Sequence, residues 1–223
     1  MAPVTGRRPT IQRIDDPDEE GPDVRLAETR DVPRIAATLT VALADSRWTR
    51  WALPDDGRMQ RLTRLHELDA GHRGVATRSA WVTEDVDAVA VWEPPRDADG
   101  TAALPADVQA ALANELPYLS AHRISVVRDT AELLAAHRPD EPHWSLLHLG
   151  VRPSSRRRGL AAAVLAPALL RCDAEQTPAT TAVFSWANVR FLRGFGFEVA
   201  AELRTADDEL PVWVVVRQPL PAR

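Results

Sequence analysis

The spacing of apolar residues changes several times along the chain and predicts an alternation of strands and helices. Residues 24–28 alternate between apolar and polar positions, as a half-buried strand does. Two helices are predicted next, the second from Arg58 to about Ala70, because each has apolar residues at helical spacing on one face. These residues are Ile35, Leu39 and Ala42, then Leu62, Leu65 and Leu68. Two short apolar runs, 80–84 and 88–92, flank acidic turn residues and predict a β-hairpin.

The second half of the chain adds further sheet elements. A polar loop is predicted at 96–101, and helical sequence follows it from 104 to about 136. The apolar run 145–151 predicts a buried strand, and a helix is predicted to begin at 158–159. The remaining predicted elements are a strand, a short helix and a closing hairpin, at 180–185, 188–194, and 197–203 with 211–216. This order predicts a single mixed α/β domain.

Composition and charge predict a disordered N-terminal tail and a cellular location. Residues 1–23 are rich in Pro, Asp, Glu and Arg, which predicts a disordered tail ahead of one domain at 24–219. A length of 223 residues, of which 45% are hydrophobic, suits a single globular domain. The net charge of −5 does not indicate a basic surface for binding nucleic acid. No apolar run approaches the roughly 20 residues needed to span a bilayer, and residues 1–21 are charged and have no apolar core typical of a secretory signal, so we expect a cytoplasmic protein without a membrane partner.

Missing residue types exclude several kinds of chemistry. The 27 basic residues are all arginine, so a pyridoxal-phosphate Schiff base and a Walker A phosphate loop are both excluded. The single cysteine, Cys172, rules out a disulfide within the chain and a cysteine-rich zinc site. HExxH and GxSxG motifs are absent from the sequence, so we expect neither a bound metal nor a serine hydrolase.

The stretch 151–161 carries the clearest candidate chemistry, where a predicted strand meets a predicted helix. Its residues Arg156–Arg158 precede Gly159, Leu160 and Ala161. Backbone N–H groups in the first helical turn are unpaired and can bind phosphate oxygens, and glycine lets the backbone approach them closely. The arginines add positive charge. The loop suits a diphosphate with another phosphate nearby, as in coenzyme A; a solvated basic turn that caps a helix is the alternative.

Two motifs resemble those of the GNAT superfamily of acyltransferases. Arg156-x-x-Gly159-x-Ala161 is similar to the pyrophosphate signature, and the segment 188–197 is similar to the second GNAT motif. Segments 28–33, 88–92 and 133–144 resemble the puromycin N-acetyltransferase branch. The resemblance covers 24–219. It implies an α/β (α+β) GNAT fold, with a mixed, mostly antiparallel sheet of six to seven strands, flanked by helices and splayed between its fourth and fifth strands.

The resemblance also implies an activity. The expected reaction is transfer of an acetyl group from acetyl-CoA to the amine of a small molecule, by direct attack of the deprotonated amine on the thioester. The role would be in antibiotic resistance or specialised metabolism, and the protein a monomer or homodimer. The pantetheine arm would bind the backbone of one strand like an added strand. The cosubstrate-binding residues implied are Leu149, Val151, Arg156, Arg157, Arg158, Gly159, Leu160, Ala161, Asn188 and Phe191.

The catalytic part of the pattern departs from the family. Leu192 stands where close relatives usually have a tyrosine that resembles a general acid for the departing thiolate, and leucine has no proton to give. Residues 182–184 are apolar where relatives carry polar side chains. His148 and Ser145 are the candidate replacements, His148 as a base or else as a core histidine. Three alternatives remain open: acid assistance is dispensable, the domain binds coenzyme A without transfer, or it catalyses another biosynthetic reaction.

Two tryptophans follow the first predicted helix. Trp48 and Trp51 fall in the region that forms the acceptor wall in GNAT folds, which favours a flat or aromatic acceptor. The alternative is that both simply cover the core. Arg47 and Arg50, beside them, are candidates to bind an acceptor carboxylate.

Overall fold

The computed structural model describes residues 22–95 and 104–221. Its strands are β1 Val24–Leu26, β2 Ala80–Thr83, β3 Ala88–Glu93, β4 Trp144–Val151, β5 Ala179–Val183, β6 Glu198–Arg204 and β7 Pro211–Arg217. They form one seven-stranded sheet in the order β1-β2-β3-β4-β5-β7-β6, in which β4 and β5 run parallel and the other neighbours antiparallel. The mixed sheet that the sequence predicts is therefore present. The predicted tail, apart from residues 22 and 23, and the whole of the predicted loop at 96–101 lie outside the described residues.

Helices connect and cover these strands. They are α1 Val32–Leu43, α2 Arg47–Ala52, α3 Arg58–Leu65, α4 Arg73–Ala76, α5 Ala106–Leu119, α6 Ile124–Ala135, α7 Leu160–Ala174 and α8 Trp186–Arg193. Single 3-10 turns occur at Thr29–Asp31, Ala121–Arg123 and Pro153–Ser155. The helical stretch predicted from 104 to 136 is interrupted, because the chain turns at Ala121 with a φ of 47° before α6 begins.

The second predicted helix is not α-helical throughout. Its α-helical part, α3, ends at Leu65, and a π-helical segment, His66–His72, joins it to α4. The N–H of Arg73 bonds to the carbonyl of Leu68, five residues earlier, which is the π spacing. π-helical turns are rare and occur frequently at functional sites. This one directs two polar side chains, His66 and Asp69, towards β4.

The two faces of the sheet are packed differently. On the α7 face, a continuous core joins both halves of the sheet and contains Trp92 from β3, Val183 from β5 and Val215 from β7. On the opposite face, the buried apolar residues of the described chain form two separate clusters. One lies beneath α1 and includes Leu39; the other packs beneath α6 and includes Leu134. The two clusters lie on either side of the boundary between β4 and β5.

Close packing of α1 against β4 depends on Gly150. A Cβ atom at this position would lie 2.7 Å from Cδ2 of Leu39 and 3.0 Å from Cβ of Ala42. Both distances are shorter than ordinary van der Waals contacts, and Leu39 is fully buried. The absence of a side chain at Gly150 therefore sets how near α1 lies to the strand that carries His148.

Candidate functional site

The sheet opens between β4 and β5. The two parallel strands pair only at their first residues, Trp144 with Ala179 and Ser145 with Thr180. Beyond that point β4 continues to pair with β3 and β5 with β7, and Oγ1 of Thr181 donates a hydrogen bond to the carbonyl of Leu146 at 2.8 Å. The remaining length of β4, which includes the predicted pantetheine-binding residues Leu149 and Val151, is free of β5. This opening is the splay predicted between the fourth and fifth strands.

The loop after β4 leads directly to an exposed helix N-terminus. Gly159 precedes α7 with a φ of +75°, a left-handed conformation that favours glycine, and a Cβ atom there would meet nothing within 4 Å. Its carbonyl accepts the N–H of Ala163, which begins the helical bonding pattern. The N–H groups of Leu160 and Ala161 precede that bond, so the helix itself offers them no acceptor. An anion at this end of α7 would meet both free N–H groups and the positive end of the helix dipole.

The arginines of this loop have different roles. Arg156 donates a hydrogen bond to the carbonyl of Ala42 at 3.2 Å, so it ties the loop to the end of α1. Arg157 and Arg158 are exposed, and their side chains have no hydrogen bond or ion pair with the described residues. They are therefore the two predicted arginines available to a phosphate group.

Two side chains fix the base of the loop. Oγ of Ser155 donates a hydrogen bond to Asp87 at 2.5 Å, and Nε of Arg152 lies 3.0 Å from Oγ1 of Thr38 and 3.3 Å from Asp87. These contacts reach the turn between β2 and β3 and the helix α1. The loop is thus held from two sides while its glycine end remains open.

His148 lies on β4 at the edge of the opening, on the face covered by α1. A register shift between Val91 and Trp92 of β3 marks a bulge in β4 immediately before it. Its Nε2 is 2.7 Å from Oδ2 of Asp69, and 12% of its side chain is exposed. Ser145, the other catalytic candidate, is buried at the narrow end of the opening, where β4 and β5 still pair.

The π-helical segment supplies the partners of His148. Burial by itself would raise the pKa of Asp69, but the hydrogen bond with His148 and the nearby charges of His148 and Arg73 outweigh it and hold that pKa below its ordinary value. Arg73 lies 3.0 Å from Asp69 and 3.7 Å from Glu93. The result is an ionised carboxylate directly behind the imidazole.

A second histidine packs against the first. The ring of His66 meets that of His148 edge-on, with 5.3 Å between the ring centroids. Nδ1 of His66 lies 3.1 Å from Oγ1 of Thr40. Burial, followed by the neighbouring charge of His148, lowers the pKa of His66 well below its ordinary value. His66 is therefore neutral at pH 7 and adds no charge to the site.

The sequence singled out neither Asp69 nor His66. A signal was present, because each follows directly after one of the leucines on the buried side of the predicted helix, Leu65 and Leu68. Polar residues next to a buried stripe are candidates for interior positions. Both side chains contact His148 on β4, and the sequence does not show this because Asp69 and His148 are 79 positions apart.

The two tryptophans after α1 have different environments. Trp51 is buried, its Nε1–H donates to Asp207 at 3.0 Å, and the guanidinium of Arg123 lies 5.0 Å from the centre of its ring. Trp48 is half-buried on the same helix, α2. Arg50 pairs with Asp45 at 2.7 Å. Of the two tryptophans, Trp48 is the one with accessible surface to offer an acceptor.

Helix α8 carries the remaining predicted residues. Asn188 is exposed, and its backbone N–H bonds to Ser185 at the start of the helix. Phe191 is 40% exposed and packs against Phe195 with 5.1 Å between ring centroids. Leu192, by contrast, is buried in the core of the α7 face. The structure thus places an aliphatic side chain where the resemblance leads one to expect a proton donor.

Within residues 22–95 and 104–221, no group of three or more His, Cys, Asp or Glu side chains is arranged to hold a metal ion. Among the helices of those ranges, none combines the length and apolar character needed to cross a bilayer.

Comparison with known proteins identifies the architecture. No family model matches the chain. A Corynebacterium glutamicum structure, described as histone acetyltransferase HPA2 and related acetyltransferase, is 21% identical with a TM-score of 0.62, covering 91% of this chain and 98% of its own. Arylalkylamine N-acetyltransferase 7 of the mosquito Aedes aegypti is 12% identical with a TM-score of 0.57, covering 87% and 86%. A GCN5-related N-acetyltransferase structure from Rhodopseudomonas palustris is 9% identical with a TM-score of 0.52, covering 89% and 96%. The chain has the GNAT fold.

Proposed function

We propose that this chain is an acyl-CoA-dependent N-acyltransferase that acetylates the amine of a small molecule. The observation that carries the proposal is the opening between β4 and β5, which leads directly to the free N–H groups behind Gly159. An extended thioester arm can lie along the unpaired part of β4 while its diphosphate meets the start of α7. The similarity in fold to N-acetyltransferases supports the same reaction.

Donor binding follows from the chemistry of the loop. The diphosphate of acetyl-CoA would accept hydrogen bonds from the N–H groups of Leu160 and Ala161, and Arg157 and Arg158 would add charge-assisted contacts. The space beside Gly159 is open, so the backbone can approach the phosphate oxygens. Arg156 acts differently, since it links the loop to α1 and hence to the acceptor side.

The transfer itself requires a neutral amine. Most aliphatic amines are protonated at pH 7, so the amine must bind in its neutral form after releasing one proton to solvent. His148, an imidazole at the edge of the opening, can then take the proton that the nitrogen loses as it attacks. The nitrogen attacks the thioester carbonyl, the tetrahedral intermediate collapses, and coenzyme A leaves as a thiol. General acid–base help of this kind contributes on the order of 10²–10⁴-fold to a rate.

The acceptor side favours an apolar amine. On the β5 side of the opening, Ala182 and Phe184 pack against the cluster beneath α6 and are both partly buried. Trp48 adds a half-buried indole from α2. An aromatic or aliphatic amine matches these surfaces, and the similarity to an arylalkylamine N-acetyltransferase agrees with that. The puromycin-type branch, a role in antibiotic resistance or specialised metabolism, and a cytoplasmic location remain predictions from the sequence.

A thiol-release assay tests the proposal. Purified protein is incubated with acetyl-CoA and a panel of aromatic, aliphatic and carboxylate-bearing amines, and both free thiol and the N-acetyl product are measured. We expect turnover with apolar amines and only background hydrolysis without an amine. A chain that releases no thiol with any acyl-CoA and any amine is not the enzyme proposed.

Burial of Leu192 favours one alternative, a module that binds coenzyme A without transfer. This aliphatic residue occupies the position where a proton donor is expected, and Ala182 and Phe184 on the β5 side of the opening are apolar as well. Such a module would bind acetyl-CoA in a calorimeter and transfer nothing. A GNAT fold adapted to another biosynthetic reaction would instead bind an acyl-CoA and convert a different acceptor, which mass spectrometry of the native ligand would reveal.

A further inference from the structure

The contact with Asp69 fixes which nitrogen of His148 can take a proton. Oδ2 of Asp69 lies 2.7 Å from Nε2, and Arg73 lies 3.0 Å from the same carboxylate. An ionised carboxylate only accepts hydrogen bonds, so Nε2 carries the hydrogen and Nδ1 the lone pair. Nδ1 has no hydrogen-bond partner anywhere in the described part of the chain. The imidazole is therefore held with its basic nitrogen unoccupied.

The other candidate proton carriers are unsuited to the role. His66 is buried, neutral and bonded to Thr40. Leu192 has no exchangeable proton. Tyr118, the single tyrosine of the sequence, is 70% exposed on α5, a helix that packs on α3 and the π-helical segment. Of these groups His148 alone combines a free nitrogen with a place on the wall of the opening.

We infer that Asp69 is the positioning residue for His148, and that Nδ1 of His148 carries the proton in both halves of the transfer. This inference rests on the proposed function. As the C–N bond forms, the proton of the attacking amine passes to Nδ1. As the C–S bond breaks, its electron pair stays on sulfur, and the thiolate takes the same proton back. The products are an amide and a free thiol; His148 ends neutral, and Asp69 stays ionised throughout.

The inference about Asp69 is tested by comparing amide variants of two neighbouring carboxylates. Asp69→Asn should lower kcat on the order of 10²-fold, because it no longer fixes the Nε2–H tautomer. Its affinity for acetyl-CoA, measured by calorimetry, should stay within about twofold, since the phosphate loop is unchanged. Glu67→Gln is the matched control: Glu67 lies in the same π-helical segment but pairs with Arg64 at 3.0 Å. That variant should keep the wild-type kcat.

A double variant separates positioning from a general loss of structure. If Asp69 acts through His148, then Asp69→Asn combined with His148→Ala should be no slower than His148→Ala alone. Added imidazole should restore part of the rate of His148→Ala. Losses that multiply in the double variant, or Asp69→Asn activity equal to that of the wild type, would overturn the positioning role.

Return of the proton is tested at Leu192. Leu192→Tyr and Leu192→Phe have nearly the same shape, and only the first supplies an acidic hydroxyl. If His148 already protonates the thiolate, the two should differ by less than about threefold in the wild-type background, whereas the tyrosine should be the faster of the two when combined with His148→Ala. A tyrosine advantage of about tenfold or more in the wild-type background would show that the thiolate leaves without help, which contradicts the second half of the inference.

Failure of the inference and failure of the proposed function give different results. A wild-type protein that binds acetyl-CoA and acylates no amine overturns both. A wild-type protein that acylates amines, with Asp69→Asn equally active, overturns only the inference.

Discussion

Asp207 joins the two halves of the molecule across the opening, and replacing it should weaken that connection. Its carboxylate, in the turn between β6 and β7, accepts hydrogen bonds from Trp51 at 3.0 Å, Arg123 at 2.7 Å and Thr205 at 2.6 Å. Trp51 lies on α2, which follows the helix packed on β4, and Arg123 precedes α6 on the other side. One side chain therefore ties together elements from both sides of the site.

The pKa of Asp207 gives the size of the effect. Burial by itself would raise this pKa, but the donors from Thr205, Trp51, the backbone of Glu209 and Arg123 lower it from 3.8 to about 2. At 1.36 kcal/mol per pKa unit, that difference corresponds to roughly 2 kcal/mol of stability at neutral pH. The side chain is 21% exposed, so solvent screening reduces the figure, and we expect about 1–2 kcal/mol.

The pH dependence of this contribution has a definite sign. The folded-state pKa lies below the unfolded one, so the stabilisation is complete well above 3.8 and is lost as the pH falls towards 2. Asp207→Asn should therefore be less stable than the wild type by a constant amount between pH 7 and pH 5. That difference should fall to about half near pH 3, as the wild-type carboxylate is protonated in the unfolded state.

Urea unfolding at several pH values measures this difference. The matched control is Asp208→Asn, the same change at the next residue, whose side chain is 82% exposed and pairs only with Arg204 among the described residues. The control should lose less than about 0.5 kcal/mol. A stability difference for Asp207→Asn that is absent at pH 7, or that stays constant down to pH 3, would show that the hydrogen bonds to the ionised Asp207 carboxylate do not stabilise the fold.

Three further predictions concern the scaffold and the loop. Gly150→Val should cost about 1–3 kcal/mol in urea unfolding, because a Cβ atom there is already too close to Leu39; a wild-type stability would contradict the close packing of α1. Gly159→Val should cost about 1–3 kcal/mol in urea unfolding, because a β-branched residue is strained at a φ of +75° even though its Cβ would meet no atom, and distortion of the proposed phosphate-binding turn should raise the Kd for acetyl-CoA at least about tenfold. If calorimetry gives the variant and the wild type equal affinities for acetyl-CoA, the donor does not bind at this turn. Asp173→Asn should destabilise the fold by about 3 kcal/mol, because it leaves buried Arg217 without the carboxylate that binds it at 2.7 Å; a stability loss well below 1 kcal/mol would show that Arg217 finds another partner.

Local patterns predicted most of the elements correctly. The β-hairpin of β2 and β3 and the strand β4 follow from alternating or continuous apolar runs, which reflect interactions between near neighbours. The loop around Gly159 was also predictable, because a strand, a basic turn, a glycine and an apolar helix lie consecutively in the sequence. The individual strands and the start of α7 are therefore local consequences of the order of residues.

Local patterns failed where a helix changed its geometry. The leucines after Arg58 predict one regular helix, whereas the chain adopts π spacing from His66. Helical propensity alone does not select that wider turn. In the fold the segment is fixed by long-range contacts, with His66 bonded to Thr40 and Asp69 to His148.

Most of the strands and helices, the candidate phosphate-binding loop at Gly159 and the absence of a phenol at position 192 could be read from the amino-acid sequence. Long-range packing in the folded chain, by contrast, brings Asp69 to His148, Trp51 to Asp207 and Arg156 to α1. Each of these contacts joins residues at least 79 positions apart. Their geometry depends on how the sheet opens and how helices pack on its faces, and spacing along the chain does not encode either.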